Sequence, residues 1–572
     1  MIKIISFLFI TLACVTSYAE TKPEVEHPPQ EMKGRLPAQE QFDKTLIHNA
    51  RIYTMDRGYS TADAILFDSS GRIHNVGGEE DMLKAFPAAR HIDLGGKTII
   101  PGLIDAHAHL MGLAVSLSQA QLRDTTSKED VIRRLREHAE NLPEGDWLLG
   151  RGWDQNDWPV KEFPNRQDLD SAFPDRPVWL RRIDGHAGWA NSAALAMSDQ
   201  DLSGDRQPQG GHIYRDSQGQ ATGVLVDGAM QIINNVVPEI SSELMQASLE
   251  LALKRTASLG LTGVHEMGIG RGEVEIYQQF IKAGELPIRV YAFTDGAGET
   301  LDWLCTKGFI ADESGRLNMR AVKLYIDGAM GSRGAALLTD YSDDAGNSGL
   351  LFMSPEQLEA QIDKAMACGL QVGVHAIGDR GNRTALDALE AAIQRHPDNP
   401  GRHRVEHSQI LTAADIPRFS QLKIIASMQP THATSDMYWV EDRLGSERVK
   451  FAYPWRSLLD SGARLALGSD FPVEQVNPML GIYAAVTRQD TKGWPEGGWY
   501  PEENLSREEA VRGFTMDAAY ASFMEKSVGS LESGKRADFI VLDKNIFEVD
   551  VSEIHSIKVL QTWLDGELVW KR

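Results

Sequence analysis

Cysteine, long apolar runs and positive charge are all scarce in this chain of 572 residues. There are three cysteines, Cys14, Cys305 and Cys368, and no Cys-x-x-Cys pair, which excludes a cysteine-held zinc site. Cys305 and Cys368, about sixty residues apart, make no disulfide framework in a chain of this size. Any metal therefore has to be held by His, Asp and Lys. No stretch approaches ~20 continuous apolar residues, so no membrane-spanning helix is expected. Lys and Arg number 58 against 81 Asp and Glu, a formal net charge of −23. Such a chain is a poor nucleic-acid binder and gains nothing at an anionic membrane surface.

What is present is ordinary globular composition. Hydrophobic residues make up 42%, enough for one large core and a second smaller one, and 51 Gly with 24 Pro punctuate many elements. Residues 1–19 have the form of a secretion signal: Lys3, an apolar run from Ile4 to Val15, and a small-x-small cleavage site at Ser17-Tyr18-Ala19. Cleavage removes Lys3 and no acid, which leaves a soluble periplasmic or secreted protein. Leu12-Ala13-Cys14 faintly resembles a lipoprotein box, which makes lipidation at Cys14 the rival reading. Residues 20–43, rich in Pro, Glu, Lys and Gln, read as a flexible leader.

The two ends of the mature chain share a β texture. LIHNARIYTM, ADAILFD and RIHNVG near the start, and RADFIVLD, IKVLQTWLDG and ELVWKR near the end, alternate apolar positions between turn signals. Segments 44–97 and 521–572 are expected to join in a small β-sandwich. Between them, 98–520 repeats a β-then-α rhythm, with strands expected at 99–105, 261–267, 287–293, 320–326, 370–376, 402–408, 423–429 and 463–469. Amphipathic helical spacing fills most gaps, as from Ser242 to Leu259 and Pro355 to Cys368. Eight such units predict an α/β fold, a TIM-like (β/α)8 barrel. The interval from about 115 to 235 is too long for one crossover and reads as an insertion over the barrel mouth.

The chemistry starts at TIIPGLIDAHAHL, where His107 and His109 stand two apart at a strand end and so present two imidazoles to one side. Two histidines stacked on an exposed sheet face would look the same. Later strand ends decide the matter: Lys323 in RAVKLYIDG, His375 in LQVGVHAIGDRG, His407 in RHRVEHSQI and Asp470 in ARLALGSDFP. In a barrel these positions converge on one rim. His265 ends the second strand beside Glu266. Trp153, Trp158 and Trp189 could wall the substrate cavity or form the insertion's own core.

This set resembles the amidohydrolase superfamily over essentially the whole mature chain. PGLIDAHAH, the histidine strand ends, GSDFP and GSLESGKRADFIVLD carry the likeness. WDQNDWP, RRIDGHAGWANSAAL, GVLVDGAM, KLYIDGAMGSRGAAL and SMQPTHA resemble the YtcJ-like, amidohydrolase-3 branch that includes N-substituted formamide deformylases. The resemblance implies a hydrolase of non-peptide C–N bonds that uses one or two divalent cations, zinc first among them, although the ligands suit Mn, Fe and Co as well. It implies His107, His109 and Asp470 around one cation and His375 and His407 around a second. Asp470 would carry protons between water and the leaving amine. Lys323 would be either a carbamate bridging two metals or a plain ammonium paired with Asp327. His186, Arg333 and His432 are the candidate substrate contacts, the first two with ordinary structural alternatives (a satisfied histidine, a loop-ordering salt bridge). The expected substrate is a small N-acyl or N-formyl amine or a cyclic amide. A lactonase, an esterase, a cyclic deaminase on the same site and a non-catalytic binding module are the competing readings. No nucleic-acid or membrane partner is expected beyond a lipid anchor, and a homodimer is the commonest assembly of such enzymes.

Overall fold

The apolar run ahead of the paired histidines divides at Gly102 into two strands that belong to different sheets. A computed structural model describes residues 43–572 apart from Asn141, Glu144, Asp199, Asp201 and Glu239. The signal segment, Cys14 and all but the last residue of the leader lie outside the described residues. Arg90–Pro101 runs in the terminal sheet, and the first barrel strand is β1 (Leu103–Ala108) rather than 99–105. Both strands are buried and apolar at the junction, so no change of pattern marks it. Gly102 is obligatory there, because a Cβ would stand 2.2 Å from the Thr262 hydroxyl oxygen.

The barrel continues with β2 (Leu261–Ile269), β3 (Arg289–Asp295), β4 (Leu317–Tyr325), β5 (Gln371–Ala376), β6 (Arg404–His407), β7 (Ile425–Met428) and β8 (Arg464–Leu467). Neighbours in this series pair in parallel, in chain order. β1, β5, β6 and β7 are buried at every residue, as parallel strands covered on both faces must be. The circle is stitched shut at its C-terminal rim. The Asp470 amide donates to the His107 carbonyl at 2.7 Å, and the His109 amide to the Phe471 carbonyl at 2.8 Å.

The chain ends meet, in one continuous eight-stranded sheet. Lys44–Tyr53, Thr61–Ala62, Ala64–Asp68, Ile73–Gly77 and Arg90–Pro101 join Phe539–Leu542, Val559–Leu564 and Glu567–Lys571. This sheet docks at the N-terminal end of the barrel, where Arg289, the first residue of β3, donates to both oxygens of Asp538 (2.7 and 2.9 Å) and also pairs with Asp565.

Between β1 and β2 the insertion folds as a six-stranded sheet that includes Leu148–Trp153 and Val178–Arg182, which pair in parallel. Trp153, Trp158 and Trp189 are buried against one another with ring centroids 5.9–6.4 Å apart, and each indole N–H donates to a backbone carbonyl. They are the insertion's core and not a cavity wall.

Cys305 and Cys368, expected to build no disulfide framework, are joined by a disulfide. Cys305 lies in helix Glu299–Lys307 after β3 and Cys368 caps helix Pro355–Ala367 after β4. Consecutive βα units stand side by side on a barrel, so 63 residues of sequence separation become an adjacent pair. Among the described residues no helix is long and apolar enough to cross a membrane.

Candidate metal centre

Two devices bring polar side chains to the C-terminal rim. The first is strand alternation, which sets Lys323 and Tyr325 on the inner face of β4. The second is a left-handed backbone step. Arg404 and Glu406 face the barrel interior, so plain alternation would turn His407 outward; a φ of +74° brings it back. Asp470 sits at φ +62°. Such conformations cost a non-glycine residue about 1–3 kcal/mol and persist where the surroundings over-determine them. Around Asp470 the surroundings do. Asp105 accepts the His107 amide, the Ser469 amide and the Ser469 hydroxyl, the last at 2.6 Å. At Gly468 a Cβ would stand 2.5 Å from both Asp105 Oδ1 and the His107 amide, so only glycine lets β8 close on β1.

The side chains converge. Asp470 Oδ1 lies 3.2 Å from His109 Nε2 and 3.6 Å from His107 Nε2, and Asp470 Oδ2 lies 3.6 Å from His432 Nε2. Lys323 Nζ is 3.4 Å from His107 Nε2. The His407 ring is 4.6 Å from His107 and 4.5 Å from His375, centroid to centroid. The tightest potential ligand group among the described residues is His107, His407 and Asp470, whose donor atoms all lie within 4.8 Å of one another. That trio crosses the expected division into one site with His109 and a second with His375. The floor is thus one continuous cluster.

Hydrogen bonds behind the rings settle which nitrogen faces the cluster. His107 Nδ1 donates to Glu406 Oε2 at 2.7 Å, and His407 Nδ1 to Gln429 Oε1 at 2.8 Å, so both turn an Nε2 lone pair inward, as metal ligands require. Gln429 is oriented by donating its own Nε2 to the Ser427 carbonyl. His432 is the opposite tautomer. Gln409 Nε2 donates to its Nδ1 at 3.0 Å, which leaves Nε2–H pointing at Asp470 Oδ2. His432 is therefore built as a donor.

Electrostatics agree with this division of roles. Burial, with the Lys323 charge beside them, holds His107 and His407 far below the usual histidine range, and so neutral. Burial opposes ionisation of Asp470, yet His107, His109 and His432 outweigh it and keep the carboxyl ionised well below its ordinary value. Burial pushes Lys323 down to about 8 against the pull of Glu406 and Asp470. Asp327 does not pair with Lys323. It takes the backbone N–H groups of Ala336, Ile377 and Gly378 and lies 3.8 Å from His375.

A divalent cation fits these residues on two counts. Asp470 Oδ1 and His375 Nε2 are buried with no aligned hydrogen-bond partner, which is costly unless a ligand completes them. The donor set of neutral imidazoles, a carboxylate and a depressed lysine is that of a Zn-type centre.

The cluster floors a cavity of about 1000 Å³ roofed by the insertion. His186 lines it, 5.3 Å from the His375 ring, with Nδ1 held 2.6 Å from Asp227. Burial works against its charge, but the Asp227 hydrogen bond prevails and raises it. Arg333 is elsewhere: its guanidinium pairs with Asp343 at 2.9 Å and does not line the cavity. His265 accepts from Arg404 deep in the barrel and faces away from the cavity. The sequence reading passed over Glu406, Gln429, Gln409 and Arg404, the residues that aim the histidines. For Arg404, Glu406 and Gln429 the signal was a charged or amide side chain inside a strand expected in the barrel wall; Gln409, just past its strand, carried none. It also passed over Tyr325, Arg151 and Arg181 in the cavity wall.

Comparison with known proteins gives this geometry a context. The family model described as "Amidohydrolase family" matches residues 90–570. YtcJ of Bacillus subtilis (strain 168) is 34% identical over 538 residues, which cover 92% of this chain and 100% of that protein. N-substituted formamide deformylase of Arthrobacter pascens is 29% identical over 555 residues, 93% of this chain and 99% of that enzyme. Among solved structures, an uncharacterised metal-dependent hydrolase from Pyrococcus horikoshii OT3 has a TM-score of 0.72 at 29% identity, covering 89% of this chain and 99% of its own.

Proposed function

This chain belongs to the amidohydrolase family, and on that premise we propose that it hydrolyses the amide C–N bond of a small N-acyl or N-formyl amine or of a cyclic amide. The observation that carries the reading is the inward convergence of ligand-tautomer imidazoles on an ionised, under-coordinated Asp470 at the floor of a large cavity. His107, His109, Lys323, His375, His407 and Asp470 would hold one or two divalent cations, zinc foremost. The cation supplies Lewis acidity for the carbonyl and lowers the pKa of water toward neutrality.

The protein's own groups then divide the proton work. Asp470 accepts a proton from the attacking water and returns it to the departing amine nitrogen. His432, with Nε2–H aimed across Asp470, donates to the oxygen on which charge develops. Lys323, with a substantial neutral fraction near pH 8, is suited to add to carbon dioxide: its amine forms the N–C bond, one proton leaves, and a carbamate anion results. The Cys305–Cys368 disulfide supports an oxidising compartment, in line with secretion to the periplasm or beyond.

The test is turnover of a panel of N-formyl and N-acyl amines, cyclic amides, esters and lactones by purified protein, with elemental analysis. Loss of amide hydrolysis on chelation and its return with zinc is the expected result. Turnover of esters or lactones without any amide would replace this reading with the esterase alternative.

A further inference from the structure

Among the described residues, no carboxylate pairs with either of two arginines in the cavity wall. Leu148–Trp153 and Val178–Arg182 pair in a register that sets Arg151 directly opposite Arg181. Like charges opposite one another destabilise a sheet, so this pairing works against the fold that contains it. Both side chains line the metal-floored cavity. Their ends approach each other: the point where a Cβ on Gly185 would sit is 3.6 and 3.7 Å from the two terminal nitrogens of Arg151 and 4.0 Å from Arg181 Nη2. Their polar contacts are sparse and all to backbone. Arg151 Nη2 donates to the Ile183 carbonyl at 3.3 Å and Arg181 Nη2 to the Gly185 carbonyl at 3.4 Å, while Arg151 Nε is buried with no partner.

Neighbouring acids are already committed. Asp184 gives one oxygen to Arg182 Nη1 and the other to the His186 amide. Asp154 pairs with Arg182 and accepts from the Asn156 amide. Arg182, the next residue along the strand, thus has two carboxylates and the Gln155 amide oxygen, whereas its neighbour Arg181 has none. Arg123, near Arg151, reaches Glu474 and the carbonyls of Pro472 and Val473. Burial and the mutual repulsion of the pair push Arg151 down to about 9. Arg151 and Arg181 line the same cavity as Asp470 and Tyr325, whose ring is 5.3 Å from His375. The two guanidinium groups thus share one cavity with the metal-binding cluster.

We infer that the substrate amide carries a carboxylate, which Arg151 and Arg181 grip while the amide carbonyl meets the metal centre. The substrate class is an N-acylated or N-formylated amino acid, or a cyclic amide with a free carboxylate. Planar forks match a planar carboxylate oxygen for nitrogen, and an anion between the guanidinium groups turns a repulsive pair into a shared binding site. This inference rests on the amide-hydrolase reading for its chemistry and on the arginine pair for its specificity.

The experiment compares N-formylphenylalanine with N-formylphenethylamine, the same skeleton without the carboxylate. Zinc-loaded wild type is measured beside Arg151→Met, Arg181→Met and the double variant, each checked for metal content and melting temperature. A second arm measures binding of 3-phenylpropanoate against 3-phenylpropanamide by calorimetry. Wild type should favour the carboxylate substrate by about 10- to 100-fold in kcat/KM, as expected for charge-assisted hydrogen bonds. The double variant should lose that ratio, with Arg151→Lys in between. An unchanged ratio in the folded, metal-loaded double variant, no preference in wild type, or tighter binding of inorganic phosphate than of 3-phenylpropanoate would each overturn the carboxylate assignment. If no amide is hydrolysed but the carboxylate probe still binds wild type selectively and the double variant not at all, the anion site stands and the amide-hydrolase reading falls.

Discussion

The two ends of the barrel contain the same kinds of side chain in opposite states of completion. At the N-terminal end, Arg289 is saturated: Asp538 takes two of its donors, Asp565 takes another, and Asp565 is paired in turn with Arg316 and Arg536. At the C-terminal end, Asp470 Oδ1 and two imidazole nitrogens are just as buried and lack aligned partners. Burial is equal and satisfaction is not. A closed network serves cohesion, since nothing more can bind to it. An open one is paid for in stability and retains affinity for a ligand.

The largest expected break in this contrast is Asp470→Asn. Removing the proton carrier should lower kcat by about 10³- to 10⁴-fold, measured on the best amide substrate, with little change in the melting temperature of the metal-free protein. Next is its counterpart, Arg289→Met, which leaves the buried Asp538 without its guanidinium partner and should cost about 3–5 kcal/mol of stability in denaturant titration. The molecules that remain folded should bind zinc and turn over normally. If Arg289→Met instead lost metal with its stability intact, the two ends would not be functionally separate.

A pH measurement separates the ends further. His403, just before β6, is buried, accepts the Val372 amide at Nδ1, and is held down to about 4 by its burial. The unfolded chain protonates it near 6.5, so the unfolded state binds the extra proton first as pH falls. Stability from this group is whole above about 6.5, erodes as pH drops toward 4, and amounts to about 3 kcal/mol. His403→Asn keeps an acceptor for Val372 and should flatten that acid limb. An identical limb in the variant would assign the loss to other groups.

How much of this was legible in the sequence depended on whether a residue's role follows from its own strand. The barrel strands were, because the period of apolar residues needs no partner to be seen. His107, His109 and Lys323 were, since they sit at strand ends where alternation fixes direction. His407 and Asp470 were placed at their strand ends as well, but the left-handed backbone that turns them inward is invisible in a pattern of side chains. The boundary at Gly102 was missed because two buried strands adjoin without a polar gap. The Arg151–Arg181 pair was missed for a different reason: strands about thirty residues apart acquire a shared face only through sheet register, which local patterning does not encode. Arg333 went the other way. Of its two readings, a substrate contact and a loop-ordering salt bridge, the pairing with Asp343 matches the second.

The finest test concerns the residues that aim the ligands. Gln429 contributes no charge to the centre and touches it only through the His407 ring, so its removal isolates orientation from coordination. Gln429→Met keeps the length of the side chain and deletes the carbonyl that holds His407 in its Nδ1–H tautomer. Left free, the ring divides between tautomers and rotations, and only part of the population offers Nε2 to a cation. The expected result is a zinc dissociation constant raised about 10- to 100-fold, read by competition with a chromophoric chelator, and activity that recovers when zinc is supplied in excess. A stability loss of about 1 kcal/mol should accompany it, from the stranded imidazole N–H. Should zinc affinity hold while stability falls further, Gln429 would belong with Arg289 among the groups that only keep the barrel together.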